Sequence, residues 1–221
     1  MALLIDIEGI DGSGKGTQAQ MLCARFAAAG VAAKLISFPR YEATLFGGAV
    51  GEFLNGAFGK LADVHPFLVS LLFAGDRFES KEMLERALAG YAVVVLDRYV
   101  PSNVAHQASK RHAAERDALI KKILHIEYGI YRLPLPDVCL LLDLPVPMAQ
   151  QLIARKSPRS YTAKTADLQE ADAAYLAQVR EVYHHLATGP NWRTISCSDA
   201  NGLRTVAEIS DEIWSAVGRR S

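Results

Sequence analysis

Residues Gly9-Ile10-Asp11-Gly12-Ser13-Gly14-Lys15-Gly16-Thr17 bring together the parts of a phosphate cradle. A glycine-rich turn lets successive backbone N–H groups converge on one spot, and a helix start adds partial positive charge. Lys15 is then placed to reach outer phosphates. Gly9, Asp11, Gly12, Ser13, Gly14, Lys15, Gly16 and Thr17 are therefore candidate contacts to the phosphates of a nucleotide. One position departs from the usual pattern. A Ser or Thr normally follows the lysine as a hydroxyl ligand for magnesium, whereas here Gly16 stands there and Thr17 comes one step later. Asp11 is also unusual in an anion-binding loop, and two readings stand. It either caps the loop by accepting from backbone N–H groups, or it reaches a sugar hydroxyl or a magnesium-bound water.

Three further stretches carry chemistry. Asp97-Arg98-Tyr99 leaves the apolar run Ala92 to Leu96 at the end where α/β proteins bind ligands. Asp97 there could order a hydrated magnesium, and Arg98 could clamp a phosphate; an ordinary surface ion pair is the alternative. The segment Ala154 to Lys164 holds Arg155, Lys156, Arg159 and Lys164 with no acidic residue. It fits a solvated basic loop, or a mobile lid that spreads positive charge over a transferring phosphoryl group. Phe73 and Arg77, four apart in a helical pattern, face the same way. An aromatic face beside a donor-only guanidinium suits a base with a carbonyl edge, the O4 of thymine or uracil rather than the N4 amino group of cytosine. Taken alone, the pair also fits core packing beside a surface charge.

The elements that must position these groups follow from the apolar pattern. Short β-like runs fall at Leu3 to Ile7, Ala33 to Ser37, Ala92 to Leu96, Val138 to Asp143 and Arg193 to Cys197. Several are apolar throughout, as strands covered on both faces are. Helical patterns lie between them, including Thr17 to Ala29, stopped at Gly30, and Asp167 to Ala187. Asp167-Leu168-Gln169-Glu170 has capping-box spacing. Alternating strands and helices imply an α/β fold with a parallel sheet, right-handed crossovers and ligands beyond the strands' carboxyl ends.

Composition narrows the function classes. At 221 residues, one domain spanning 1–221 is expected. The 24 basic residues balance the 24 acidic ones, so there is no global field for sequence-independent nucleic-acid binding, and the substrate should be small. Cys23, Cys139 and Cys197 are too scattered for a disulfide framework or zinc cluster. No basic leader opens the chain, and no apolar run approaches the ~20 residues needed to cross a membrane. A soluble cytoplasmic protein is expected.

Together these stretches resemble the thymidylate kinase family of P-loop nucleoside monophosphate kinases. The resemblance spans Ile7 to Gly12, Phe38-Pro39-Arg40, Leu71-Leu72-Phe73 through Arg77, Asp97-Arg98-Tyr99 with Ser102-Asn103, the basic segment and the following helix. It implies a P-loop NTPase fold with a five-stranded parallel sheet flanked by helices on both faces, and a lid at about 154–166. It also implies transfer of the γ-phosphoryl group of MgATP to dTMP, and a homodimer. By resemblance, Arg40 and Arg98 would bind the acceptor phosphate, Phe73 and Arg77 would stack on and read thymine, and Asn103 would complete the base contacts with Ser102 nearby. His106 stands where relatives carry an aromatic or amide residue that screens the ribose 2′ position. Lys15, Arg98 and the lid residues Arg155 and Arg159 would be catalytic, as in members with a small residue in the P-loop. In such kinases magnesium is held largely through water and phosphate oxygens, with Asp97 or Thr17 ordering that shell. Many members interpose a residue between Pro39 and the arginine that follows here. Two other readings stay open: a kinase for a different nucleoside monophosphate, and an ATP-binding regulator without phosphoryl transfer.

Overall fold

A computed structural model describes residues 2–60, 63–154 and 172–217. Its frame is a five-stranded parallel sheet. In chain order the strands are β1 (Leu3–Glu8), β2 (Ala33–Ser37), β3 (Val93–Asp97), β4 (Val138–Asp143) and β5 (Trp192–Ser196). They lie in the order β2-β3-β1-β4-β5, all parallel. Consecutive buried residues in β1, β3 and β4 point to alternate faces, so both faces of the sheet are covered. The expected strands are thus present, with ends moved by a residue at β1, β3 and β5.

The helices are α1 (Lys15–Ala28), α2 (Leu45–Leu54), α3 (Pro66–Glu79), α4 (Lys81–Gly90), α5 (Val100–Ala108), α6 (Ala113–Leu124), α7 (Val146–Ala154), α8 (Ala173–Leu186) and α9 (Val206–Val217). A π-helical turn, His125–Ile130, extends α6. α1 and α9 lie together, tied by Gln18 Nε2 donating to the Val206 carbonyl at 2.9 Å and Arg25 donating to Ser210 and Asp211. α5 packs against α3, α6 and α8. The chain leaves α1 at Gly30, whose φ of +76° is the left-handed exit that a glycine makes easy.

One expectation needs correction. The helix expected from Asp167 begins instead at Ala173: Asp172 is extended and its carboxylate accepts from the Tyr175 N–H at 3.0 Å, a cap that ends helical continuity on its N-terminal side. The capping box at Asp167 to Glu170 and the lid segment beyond Ala154, with Arg155 and Arg159, lie outside the described residues. After β5 the chain forms a small antiparallel hairpin of β6 (Ser198–Asp199) and β7 (Gly202–Leu203). Its turn is held by Asn201 N–H donating to Asp199 at 2.7 Å.

Because β1 is the central strand, the glycine-rich loop leaves the middle of the sheet with β3 beside it. Register pairs Ile7 with Asp97. Asp97-Arg98 therefore emerges next to the loop, although 80 residues or more separate them in the chain.

Candidate active site

The loop between β1 and α1 is shaped by close backbone approach. Gly9 has φ +148°, and a Cβ there would lie 2.6 Å from the Leu142 carbonyl oxygen; at Gly12, φ is +87° and a Cβ would meet the Ala149 carbonyl at 2.5 Å. No side chain fits either place. Gly16 answers the off-pattern position. A Cβ there would stand 3.1 Å from Asp97 Oδ2, so glycine leaves that carboxylate room beside the first turn of α1. Ser13 is buried behind the loop, and Thr17 is exposed on α1.

Lys15 folds over the loop, its Nζ donating to the carbonyls of Gly9 and Ile10 at 2.9 Å each. Burial, and then the nearby Arg98 guanidinium, lower its pKa to about 7. The ammonium is thus held where a phosphate would restore its charge.

Asp97, Arg98, Lys15 and Asp11 line one cavity of about 280 Å³, together with Pro39 and Tyr41. Arg98 has φ +69°, rare for a side chain of this size. Its Nη2 donates to Asp11 Oδ1 at 2.5 Å and its Nη1 to Ser102 Oγ at 3.0 Å. The unusual backbone is pinned from beneath by Glu8. That fully buried carboxylate accepts from Tyr99 N–H at 2.8 Å, Ser102 N–H at 3.0 Å, Ser102 Oγ at 2.6 Å and Tyr183 Oη at 2.7 Å.

A second cluster lies between α3 and α5. Arg77, 2% exposed, makes a two-pronged bond to the fully buried Glu127: Nε to Oε2 at 2.5 Å and Nη2 to Oε1 at 2.7 Å. Asn103 Nδ2 donates to the same Glu127 Oε1 at 2.8 Å and to the Ser70 carbonyl at 3.0 Å. Phe73 stands one turn before Arg77, half-buried against the packing of α2 on α3. Ser102 and Asn103 are neighbours on α5, so one helix joins this cluster to the Arg98 clamp.

His106, a turn further along α5, is buried. Its Nδ1 lies 2.9 Å from Tyr175 Oη, which itself donates to the His106 carbonyl at 3.1 Å. The hydroxyl proton being used there, Nδ1–H donates to the tyrosine, and Nε2 faces Arg98 Nη1 at 3.5 Å as an acceptor. Burial and the Arg98 charge push its pKa down to about 3, so the ring stays neutral. Arg40 is set apart from the cavity lining. Its N–H donates to Asp76 Oδ2 at 3.0 Å and its Nη1 to Ser80 Oγ at 3.2 Å, while Asp76 also takes the Thr44 hydroxyl.

The structure thus brings Lys15, Asp11, Asp97 and Arg98 to one cavity, with Ser102 holding Arg98, and Arg77 with Asn103 to a separate cluster. Sequence reasoning missed Glu8, Asp76, Glu127 and Tyr183, the groups that hold these residues. Only Glu8 had a local signal, a carboxylate closing an apolar strand just before the glycine loop. Among the described residues, no group of three or more His, Cys, Asp or Glu side chains could cage a metal ion. No helix among them is long and apolar enough to cross a membrane.

A central parallel strand feeding a glycine-rich, lysine-bearing loop at a helix start defines a P-loop nucleotide-binding fold. The comparisons narrow this class. The thymidylate kinase family model matches residues 7–208. The chain is similar to the thymidylate kinase of Mycobacterium tuberculosis, 33% identical over 211 residues covering 94% of this chain and 97% of the relative. It is also 31% identical over 221 residues to the probable thymidylate kinase of Thermococcus onnurineus, covering 97% of each. In fold it matches the solved thymidylate kinase of Candida albicans with a TM-score of 0.77 at 24% identity, over 99% of this chain and 92% of that one. The chain belongs to the thymidylate kinase family.

Proposed function

We infer that this chain transfers the γ-phosphoryl group of ATP to dTMP, giving dTDP and ADP. Family membership supports the reaction, and the observation that carries it to particular residues is the cavity shared by Lys15, Asp11, Asp97 and Arg98. An ionised acceptor phosphate is already a nucleophile, so no general base is required. Alignment and charge neutralisation supply the catalysis.

In this reading the N–H groups of residues 12–17 cradle the donor phosphates, with Lys15 on the outer ones. Arg98 holds the acceptor phosphate in line, its guanidinium oriented by Asp11 and Ser102. Arg40, held by Asp76 and Ser80, approaches that phosphate from the loop after β2. Phe73, Arg77 and Asn103 take the base, and His106 faces the sugar. Arg155 and Arg159 are assigned to the transferring group on the family resemblance alone.

The donor set fits magnesium as these enzymes hold it. Asp97 is one partly exposed carboxylate beside Gly16, and magnesium usually keeps several waters and takes only one or two protein carboxylates along with substrate phosphates. Thr17, exposed and not lining the cavity, would act only through water. When bound, the ion would neutralise charge developing on the phosphates. On the same resemblance the chain works as a homodimer, while its length and composition favour a single kinase domain in the cytoplasm.

The test is product analysis. With MgATP and dTMP, dTDP and ADP should form in equal amounts, and Lys15→Ala and Arg98→Ala should each cut turnover by ~10² or more. ATP hydrolysis without dTDP, or near wild-type turnover in both variants, contradicts the assignment.

A further inference from the structure

The orientation of a side-chain amide decides what it can read. Asn103 is buried, and its Nδ2 is fixed by two groups that can only accept, the Glu127 carboxylate and the Ser70 carbonyl. Its Oδ1 must then face the other way, and there it is buried with no hydrogen-bond partner. A buried amide oxygen without a donor is costly, so an orphan of this kind asks for a ligand group. Glu127 acts on Arg77 as well. Nε and Nη2 are committed to the carboxylate, which fixes the plane of the guanidinium and leaves Nη1 for a ligand.

We infer that Glu127 determines which base is accepted, by fixing Asn103 with its oxygen, and Arg77 with one nitrogen, turned away from the carboxylate. An acceptor beside a donor complements the N3–H and O4 of thymine or uracil. Cytosine offers the reverse, a lone pair at N3 and an amino group at position 4, so both contacts would be repulsive. This rests on the reading that the α3–α5 cluster takes the acceptor base. It goes beyond that reading because Glu127 touches no substrate: it is a positioning residue, working through Asn103 and Arg77.

The local fold supports the role. Glu127 sits in the π-helical turn His125–Ile130, where Tyr131 N–H reaches the Ile126 carbonyl at 2.8 Å, an i to i+5 bond. Such turns interrupt a regular helix at a cost and recur at functional sites. Here the turn carries the fully buried carboxylate that faces α3 and α5 at once.

The experiment compares kcat/KM for dTMP and dCMP in the wild-type chain and in Glu127→Gln. A glutamine that keeps its oxygen on Arg77 Nε places its amino group against Arg77 Nη2 and Asn103 Nδ2, leaving Asn103 held by the Ser70 carbonyl alone. Released from the carboxylate, Asn103 can turn and present Nδ2, a donor that suits cytosine N3. The expected result is a fall in the dTMP preference of tenfold or more, from both a higher KM for dTMP and a gain for dCMP. Asn103→Ala should lower the preference to a similar degree, and the double variant should lose little more, since one residue acts through the other. Glu127→Asp, which keeps an acceptor-only carboxylate, should raise KM for dTMP yet retain the preference, and it serves if the glutamine variant does not fold. A dTMP preference in folded Glu127→Gln within twofold of wild type overturns the proposal, as does full additivity with Asn103→Ala. So does loss of preference in Glu127→Asp. Wild-type protein that fails to phosphorylate dTMP would overturn the kinase reading itself, and this inference with it.

Discussion

Arg98 and Asp11 meet at 2.5 Å in the lining of the cavity beside the glycine-rich loop, joining the loop after β3 to the loop after β1. That bond gives Asp11 a role beside the cap and the sugar or magnesium-water contact read from the sequence. A carboxylate in an anion-binding loop is unfavourable by itself, but here it aims a guanidinium whose other nitrogen is held by Ser102. Asp11→Ala should release Arg98 and lower kcat/KM for dTMP by roughly 10- to 100-fold, the worth of about one charged hydrogen bond. Steady-state kinetics at varied dTMP checks this, and an unchanged kcat/KM would return Asp11 to a capping role.

Lys15 has a pKa near 7 in the structure. A triphosphate beside it would favour the charged form and raise that value. ATP binding at pH 7.5 to 8.5 should therefore take up a fraction of a proton, seen as a dependence of the binding heat on the buffer's ionisation enthalpy. Lys15→Met should abolish this uptake.

Asp6 is fully buried on the Glu8 side of β1, with neither carboxylate oxygen bonded to a donor. Burial, and then the neighbouring Glu8, raise its pKa well above the ordinary 3.8. The folded chain thus keeps a proton that the unfolded chain releases near pH 4, so stability is lost as pH rises from there towards the folded pKa. Asp6→Asn retains a donor towards Glu8 without that penalty. It should melt higher than wild type above pH 5, with an advantage that grows by about 1 kcal/mol, or 2–4 °C, per pH unit until Asp6 ionises. Melting curves from pH 4 to 9 decide it; a constant offset would contradict the assignment.

Gly16 is explained by Asp97 rather than by backbone conformation. Gly16→Thr restores the common motif yet crowds Oδ2, which a Cβ would approach to 3.1 Å. Turnover should fall several-fold, with a higher magnesium requirement in a titration of the metal. A gain in turnover would show that the hydroxyl, not the space, is what position 16 lacks.

The sheet and its ligand-bearing end were legible because buried strands read as apolar runs and the glycine loop has a local signature. Arg98 could be placed from the run before it. What was not legible is the set of groups that hold the site. Glu127 lies 50 residues from Arg77 and inside a helical stretch with no distinguishing pattern, so only the fold brings them together. In the sequence Arg77 fits either a donor to a base or a surface charge; in the structure it is buried with two of its nitrogens taken by Glu127. The start of α8 was misplaced because Asp167 to Glu170 and Asp172 both offer cap chemistry, and Asp172 is extended.

The central claim is that the acceptor is dTMP. A coupled assay of ADP release across dTMP, dUMP, UMP, CMP, AMP and GMP tests it most directly. The account predicts acceptor-dependent ADP release that is fastest with dTMP and lost in Lys15→Ala. A preference for AMP or CMP, or ADP release indifferent to acceptor, would contradict it.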